Sequence, residues 1–228
     1  MKMFKHEPIT LPKLEKVTDP VTGKRFYVTP QGNHYTSVTT FLGSMKNDAL
    51  DKWKKKVGSE EAKRISQAAA SRGTALHTMF ENLINNDPEP TKGCTNFTSI
   101  DMFKQLSQQI KENVNVVYGL EQPMYSDIMR LAGTTDLIAN WKGNLSICDF
   151  KSSTKSKRKE WIENYFMQTA AYSIMLEEHT GMVARNLVII IAVEETGRPQ
   201  IFEASRTPYI RKLTHLIKEN PLLLENIA

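Results

Sequence analysis

The chain has 228 residues, an apolar fraction of 40% and a net charge of +5, the composition of an ordinary globular protein with enough chain for a real core and a leaning toward polyanionic partners. No run of about 18 apolar residues occurs, which excludes a membrane-spanning helix, and residues 1–13 lack the apolar stretch of a secretory signal, so an intracellular protein is expected. Two cysteines, Cys94 and Cys148, are too few for a zinc ribbon or an iron–sulfur cradle, and Cys148 reads as a small core residue.

The first predicted element is a β-hairpin. Arg25–Thr29 and His34–Thr39 flank Pro30-Gln31-Gly32-Asn33, which supplies the backbone angles of a tight turn. The chain turns helical from Ser37, and Asn47 or Asp48 is expected to cap a helix carrying Leu50, Trp53 and Val57 on one face. Ser59, followed by Glu60 and Glu61, opens another helix through Ala62, Ile65 and Ala69. Ser71-Arg72-Gly73-Thr74 is expected to interrupt it, after which Leu76, Phe80 and Leu83 continue an apolar stripe. Residues 86–97 read as a loop and Ser99–Glu112 as an amphipathic helix.

Then the periodicity changes. Val114–Tyr125, Arg130–Trp141 and Leu145–Lys151 are strand-like, with Gly143-Asn144 as the turn between the last two. Lys159–Glu178 has helical spacing in Ile162, Phe166, Ala170 and Ile174, and Gly181 lies just past its end. Asn186–Val193 is nearly all apolar, as a strand buried on both faces should be, and Gln200–Ala204 is its hairpin partner. A last helix starts at Arg206 and carries Leu213, Leu216 and Ile217. This order predicts an α/β protein: a central mixed β-sheet flanked by helices, with an N-terminal hairpin and helical region. One domain over 1–228 is expected, with the sheet core at 113–204 between the N-terminal part (1–112) and the C-terminal helix (205–228).

The chemistry concentrates in the sheet. A hairpin centred on Gly143 brings Asp136 opposite residues near 150, and alternation puts Asp149 and Lys151 on one strand face. Two carboxylates and an ammonium group beside an apolar sheet are costly without a purpose. Hard oxygen ligands suit magnesium, and a bound magnesium makes water nucleophilic while the lysine orients it or stabilises phosphate charge.

Four ordered motifs surround this pair: Gly73-Thr74-Ala75-Leu76-His77, Gly133-Thr134-Thr135-Asp136, Asp149-Phe150-Lys151 and Gln168-Thr169-Ala170-Ala171-Tyr172. Together they resemble the RecB-type branch of the PD-(D/E)xK nucleases, over roughly residues 35–195. With Tyr35-Thr36-Ser37-Val38-Thr39-Thr40 in front, the arrangement is most similar to the mitochondrial genome maintenance exonucleases and their phage and bacterial relatives. The resemblance implies a restriction-endonuclease-like fold and a magnesium- or manganese-dependent DNA exonuclease acting on single-stranded ends in replication, repair or recombination. It implies metal ligands in His77, Asp136, Asp149 and the Phe150 carbonyl, Lys151 as the catalytic lysine, and Gln168 and Tyr172 supporting the site or holding DNA. The missing four-cysteine set makes the iron–sulfur members poorer matches. A phage enzyme in the bacterial cytoplasm, acting as a monomer, fits the small size.

Beside that resemblance, Ser152, Ser153, Lys155, Lys157 and Arg158 are candidate DNA contacts, with Tyr35, Arg72 and Thr74. Tyr35, Trp53 and Trp161 are candidates to stack unpaired bases. Glu121 and Glu81 are further carboxylates at suggestive positions. A structure-specific or restriction-like endonuclease and a catalytically inactive nucleic-acid-binding module are the alternatives. No P-loop, G-x-S-x-G or dinucleotide fingerprint occurs.

Overall fold

The computed structural model describes residues 3–18, 25–45 and 48–225. In chain order the strands and helices are β1 (Lys5–His6), β2 (Glu15–Thr18), β3 (Arg25–Val28), β4 (His34–Ser37), α1 (Val38–Gly43), α2 (Asp48–Val57), α3 (Ser59–Ile84), α4 (Phe97–Asn113), β5 (Val114–Ser126), β6 (Leu131–Trp141) and β7 (Asn144–Ser153). A 3₁₀ turn (Lys159–Ile162) leads into α5 (Glu163–Thr180), followed by β8 (Asn186–Val193), β9 (Gln200–Ser205), α6 (Arg206–Glu219) and the short α7 (Leu222–Glu225).

The described strands form one mixed sheet ordered β2-β3-β4-β6-β7-β8-β9, with β5 also along β6 and β1 along β5. β5, β6 and β7 make the expected antiparallel meander. The chain then crosses through α5 to lay β8 parallel to β7. Helices cover both faces. On one side Leu76, Phe80, Met102 and Leu106 of α3 and α4 pack on Leu137, Cys148 and Phe150. On the other, Phe166, Ala170 and Met175 of α5 and Leu213 of α6 pack on Ile138 and Ile147. β8 divides cleanly between them: Leu187, Ile189, Ile191 and Val193 face the α5 side, and Val188, Ile190 and Ala192 the α3 side. This is why its sequence is continuously apolar rather than alternating.

The hairpin, the meander, α5 with its left-handed Gly181 terminator and the β8–β9 pair fall where the sequence places them. The expected break at Ser71–Thr74 does not occur, since α3 runs unbroken from Ser59 to Ile84. Gly73 has open space around it and Thr74 donates its hydroxyl to the Ala70 carbonyl. One glycine costs a helix only about 1 kcal/mol, which the buried stripe of Leu76, Met79, Phe80 and Leu83 outweighs. The chain breaks instead at Gly58, whose φ of 88° separates α2 from α3. The proposed cap at Asn47, and the side chains of Asp48 and Leu50, lie outside the described residues. The short polar strands β1 and β2 carry no periodic signal, and pairing with β5 and β3 makes them strands.

Candidate active site

The site lies at a fork in the sheet. β6 pairs with β7 from Trp141↔Asn144 back to Leu137↔Cys148. Further along, its partner is β4, at Ser37↔Ala132 and Thr36↔Leu131. Asp136 sits where β7 leaves, and its Oδ2 accepts the Phe150 N–H at 2.7 Å, replacing the ladder bond that the fork removes.

Asp149 is almost fully buried, 1% exposed. Lys151 Nζ lies 2.6 Å from its Oδ1 and 2.5 Å from its Oδ2. Gln168 on α5 donates its side-chain N–H to Oδ1 at 3.1 Å. Lys151 also stands over the ring of Tyr165, with Nζ 5.2 Å from the centroid. Burial alone would pull the lysine's pKa down, but the charges of Asp149 and Asp136 reverse this and hold it above the usual lysine value.

His77 reaches the fork from α3, whose buried stripe seats the helix against β7. Its Nε2 lies 3.0 Å from the Phe150 carbonyl. A carbonyl only accepts, so Nε2 carries the hydrogen, and Nδ1 is turned toward Glu121 at 3.6 Å and Asp136 at 3.7 Å. Burial disfavours the imidazolium, but the hydrogen bond to Glu121 and the charge of Asp136 outweigh it and raise the pKa to about 9. Burial and the charge of Asp149 push the Asp136 carboxyl up to about 7.

Ligand atoms of His77, Glu121 and Asp136 lie within 4.8 Å of one another, a set able to hold a metal ion. Asp149 is the second carboxylate ligand that the motif resemblance implies; Glu121, in the sequence only a further carboxylate at a suggestive position, stands in this set. The pairs Leu120↔Leu137 and Gln122↔Thr135 place Glu121 directly opposite Asp136. Its φ of 46° is in the left-handed region, unusual for a non-glycine residue in mid-strand. Two facing carboxylates on a strained backbone are unfavourable alone and favourable around a cation. The donor set of one imidazole and two hard carboxylates fits a divalent metal. The signal for Glu121 was its register opposite Asp136, hidden by the irregularity between Val117 and Gly119.

The fourth motif also has a structural reason. Tyr172 on α5 packs on Gly133, where a Cβ would sit 2.7 Å from its hydroxyl and 2.8 Å from Cε1. The ring is buried and has little room to yield. Gly133→Ala is expected to destabilise the fold by about 1–3 kcal/mol. In a Tyr172→Leu background the same change should cost much less. A double-mutant cycle on denaturant melts checks this, and additivity would refute the contact.

Other predicted residues have different surroundings. Tyr35 is buried and donates its hydroxyl to Asp127 at 2.5 Å. Arg72 is paired with Glu194 at 3.0 Å. Ser153 is buried and donates its hydroxyl to the Lys155 carbonyl at 2.6 Å. The Lys157 N–H is taken by Gln200, while Lys155 is exposed and 3.7 Å from Glu195. Thr74 and Arg158 are exposed and Ser152 is half-buried. Trp161 is 65% exposed, with the Arg158 guanidinium 5.4 Å from its ring. Among the described residues no helix is long and apolar enough to cross a membrane.

No curated protein matches the chain. Two solved structures are similar at low identity. One is a candidate exonuclease from Eubacterium rectale, at 14% identity and a TM-score of 0.48, covering 68% of this chain and 65% of its own. The other is SSO0001, at 12% identity and a TM-score of 0.40, covering 83% of this chain and 76% of its own. The chain thus spans slightly less than two thirds of the first. The profile of the PD-(D/E)XK nuclease superfamily matches residues 98–227, more than half of the chain and the whole meander, crossover helix and β8–β9 pair. The chain belongs to the PD-(D/E)XK nuclease superfamily.

Proposed function

We propose that this nuclease is a metal-dependent DNA exonuclease of the RecB-type branch, hydrolysing phosphodiester bonds from single-stranded ends with magnesium or manganese. The observation that carries the metal-dependent chemistry is the convergence of His77, Glu121 and Asp136 on one point, beside the Asp149–Lys151 pair. The preference for DNA ends rests on the motif resemblance.

His77 Nδ1 and the carboxylates of Glu121 and Asp136 would hold the ion, with Asp149 and the Phe150 carbonyl adjoining. A divalent ion there polarises the phosphodiester and lowers the pKa of a water. Once Asp136 is ionised, three carboxylates stand against one lysine and one histidine in this cluster, and the excess of negative charge attracts a metal ion. His77 is fixed by donating to the Phe150 carbonyl, which sets the ring's orientation and leaves Nδ1 aimed at the ion. Lys151 is held by Asp149 and by the Tyr165 face, with its side chain 22% exposed, so its ammonium can donate to a phosphate oxygen as charge develops. Gln168 keeps Asp149 in place for that purpose.

The test uses end-labelled and circular DNA, single- and double-stranded, with magnesium, manganese or chelator. Linear single strands should be degraded with either metal and remain intact in chelator, while circular single strands survive. Cleavage of the circle would replace the exonuclease with an endonuclease. Cleavage in chelator would remove the metal from the mechanism.

A further inference from the structure

The cleft that holds His77, Glu121, Asp136 and Lys151 has a second wall. Lys16, Tyr27, Ser37, Thr39 and Thr134 also line it. Four of these five precede the superfamily match, which begins at residue 98. They arrive through the β2–β3–β4 meander, which joins the sheet by the parallel pairing of β4 with β6 at the fork.

We propose that Lys16 and Thr39 form a subsite for a phosphate group of the bound strand other than the one being cleaved. This rests on the nuclease reading and adds to it the way the strand is held. Lys16 pairs with Tyr27 across β2 and β3, so the two side chains share a face. Tyr27 is 5% exposed and its hydroxyl is 3.2 Å from Thr134 Oγ1, which makes it a fixed floor. Lys16 is exposed above that floor. Among the described residues it makes no ion pair or hydrogen bond, although the cleft contains carboxylates. Its charge is therefore available to a ligand.

Thr39 is exposed on the first turn of α1, with Oγ1 3.0 Å from Ser37 Oγ. Ser37 is committed to the fold, since its hydroxyl accepts the Thr40 N–H at 3.0 Å. Ser37 gives its own hydrogen to Thr40 Oγ1 at 2.7 Å, so Thr39 donates to Ser37 and has to turn its hydroxyl outward to meet a ligand; one ammonium and one such hydroxyl make a set that binds phosphate oxygens without reading sequence. The carboxylate cluster would repel a phosphate, and only its metal and Lys151 attract one. A separate cation in the same cleft gives a neighbouring phosphate its own partner.

The experiment compares wild type with Lys16→Ala, Lys16→Arg and Thr39→Val, and with Lys92→Ala as a control of equal charge change, since Lys92 is exposed beside Glu89. Cleavage of a linear single-stranded oligonucleotide is measured with magnesium across a salt series. Binding is measured in chelator, with single neutral methylphosphonate linkages placed along the strand and with ends phosphorylated or free. Lys16→Ala should raise KM about tenfold and lower the salt slope by about one charge, with Lys16→Arg close to wild type. Thr39→Val should raise KM by a smaller factor. One linkage, or the end phosphate, whose neutralisation weakens wild type should have no effect in Lys16→Ala, which also tells a backbone phosphate from a terminal one. A KM, slope and neutralisation map equal to those of Lys92→Ala would overturn the subsite. Absence of cleavage by wild type would fail the nuclease reading instead, and the binding arm in chelator would still decide the subsite.

Discussion

Asp136→Asn is expected to abolish metal-dependent cleavage while making the metal-free protein more stable. The loss should be about a thousandfold or more in kcat, because a metal-held phosphoryl oxygen is worth several kcal/mol in the transition state. The gain follows from the carboxyl's raised pKa. It moves from its ordinary 3.8 to about 7, driven by burial and by Asp149. Between those values the folded state holds more protons than the unfolded chain, so stability falls as pH rises through the window and the full cost is present above it.

His77 acts in the opposite sense at higher pH. Its pKa rises from 6.5 to about 9, so its contribution is present below 6.5 and is lost as pH rises through 9. The net gain from Asp136→Asn is therefore largest above pH 9, where His77 is neutral and the substitution no longer costs its contact with a charged carboxylate. Asparagine keeps a carbonyl oxygen to accept the Phe150 N–H, so the fork remains closed. Thermal melts at pH 7 and pH 9.5, with chelator and with magnesium, read both effects. Magnesium should stabilise wild type, by about 2.7 kcal/mol at a hundredfold excess over Kd, and leave the variant unmoved. A variant that cleaves normally, or that gains the same stabilisation from magnesium, would exclude Asp136 as a ligand.

The parts of the molecule that were legible in the sequence are those whose side chains answer to local periodicity. Strand-like runs broken by the Gly143-Asn144 turn marked β5, β6 and β7, and the unbroken apolar run of Asn186–Val193 marked a strand covered on both faces. Asp136, Asp149 and Lys151 were placed together because the Gly143 turn fixes the register of the hairpin that carries them. What was not legible depends on backbone geometry or on distant pairing. Glu121 faces Asp136 only because β5 changes register before Gly119 and then adopts a positive φ at the glutamate itself. Lys16 reaches the cleft through three successive strand pairings, of which only the β3–β4 hairpin carries a signal in the sequence. Gly73 was read as a break, because its cost is local while the burial of Leu76 and Phe80 that overrides it is tertiary. Tyr35 looked available to stack bases, yet the hairpin turns it inward to Tyr125 and Asp127.

Lys151→Met should also lose activity, by a factor of about 10²–10³, and its stability effect should have the opposite sign to that of Asp136→Asn. Lys151 is the cation for a carboxylate that is 1% exposed, so removing it leaves Asp149 with Gln168 as its hydrogen-bond partner. Breaking a buried pair in this way costs about 3 kcal/mol. Methionine keeps the apolar stem and its contact with the Tyr165 ring, so the loss reports charge and not packing. Adding Asp149→Asn removes the stranded charge. The double variant should recover most of the stability, since the introduced amide oxygen still accepts from Gln168, and none of the activity. Melting temperature and single-turnover cleavage, measured on the two single variants and the double, separate these roles. If stability and activity returned together in the double variant, the pair would be a structural ion pair and the catalytic assignment of Lys151 would fall. If stability alone returned, the ammonium is held in the buried site for the reaction and not for the fold.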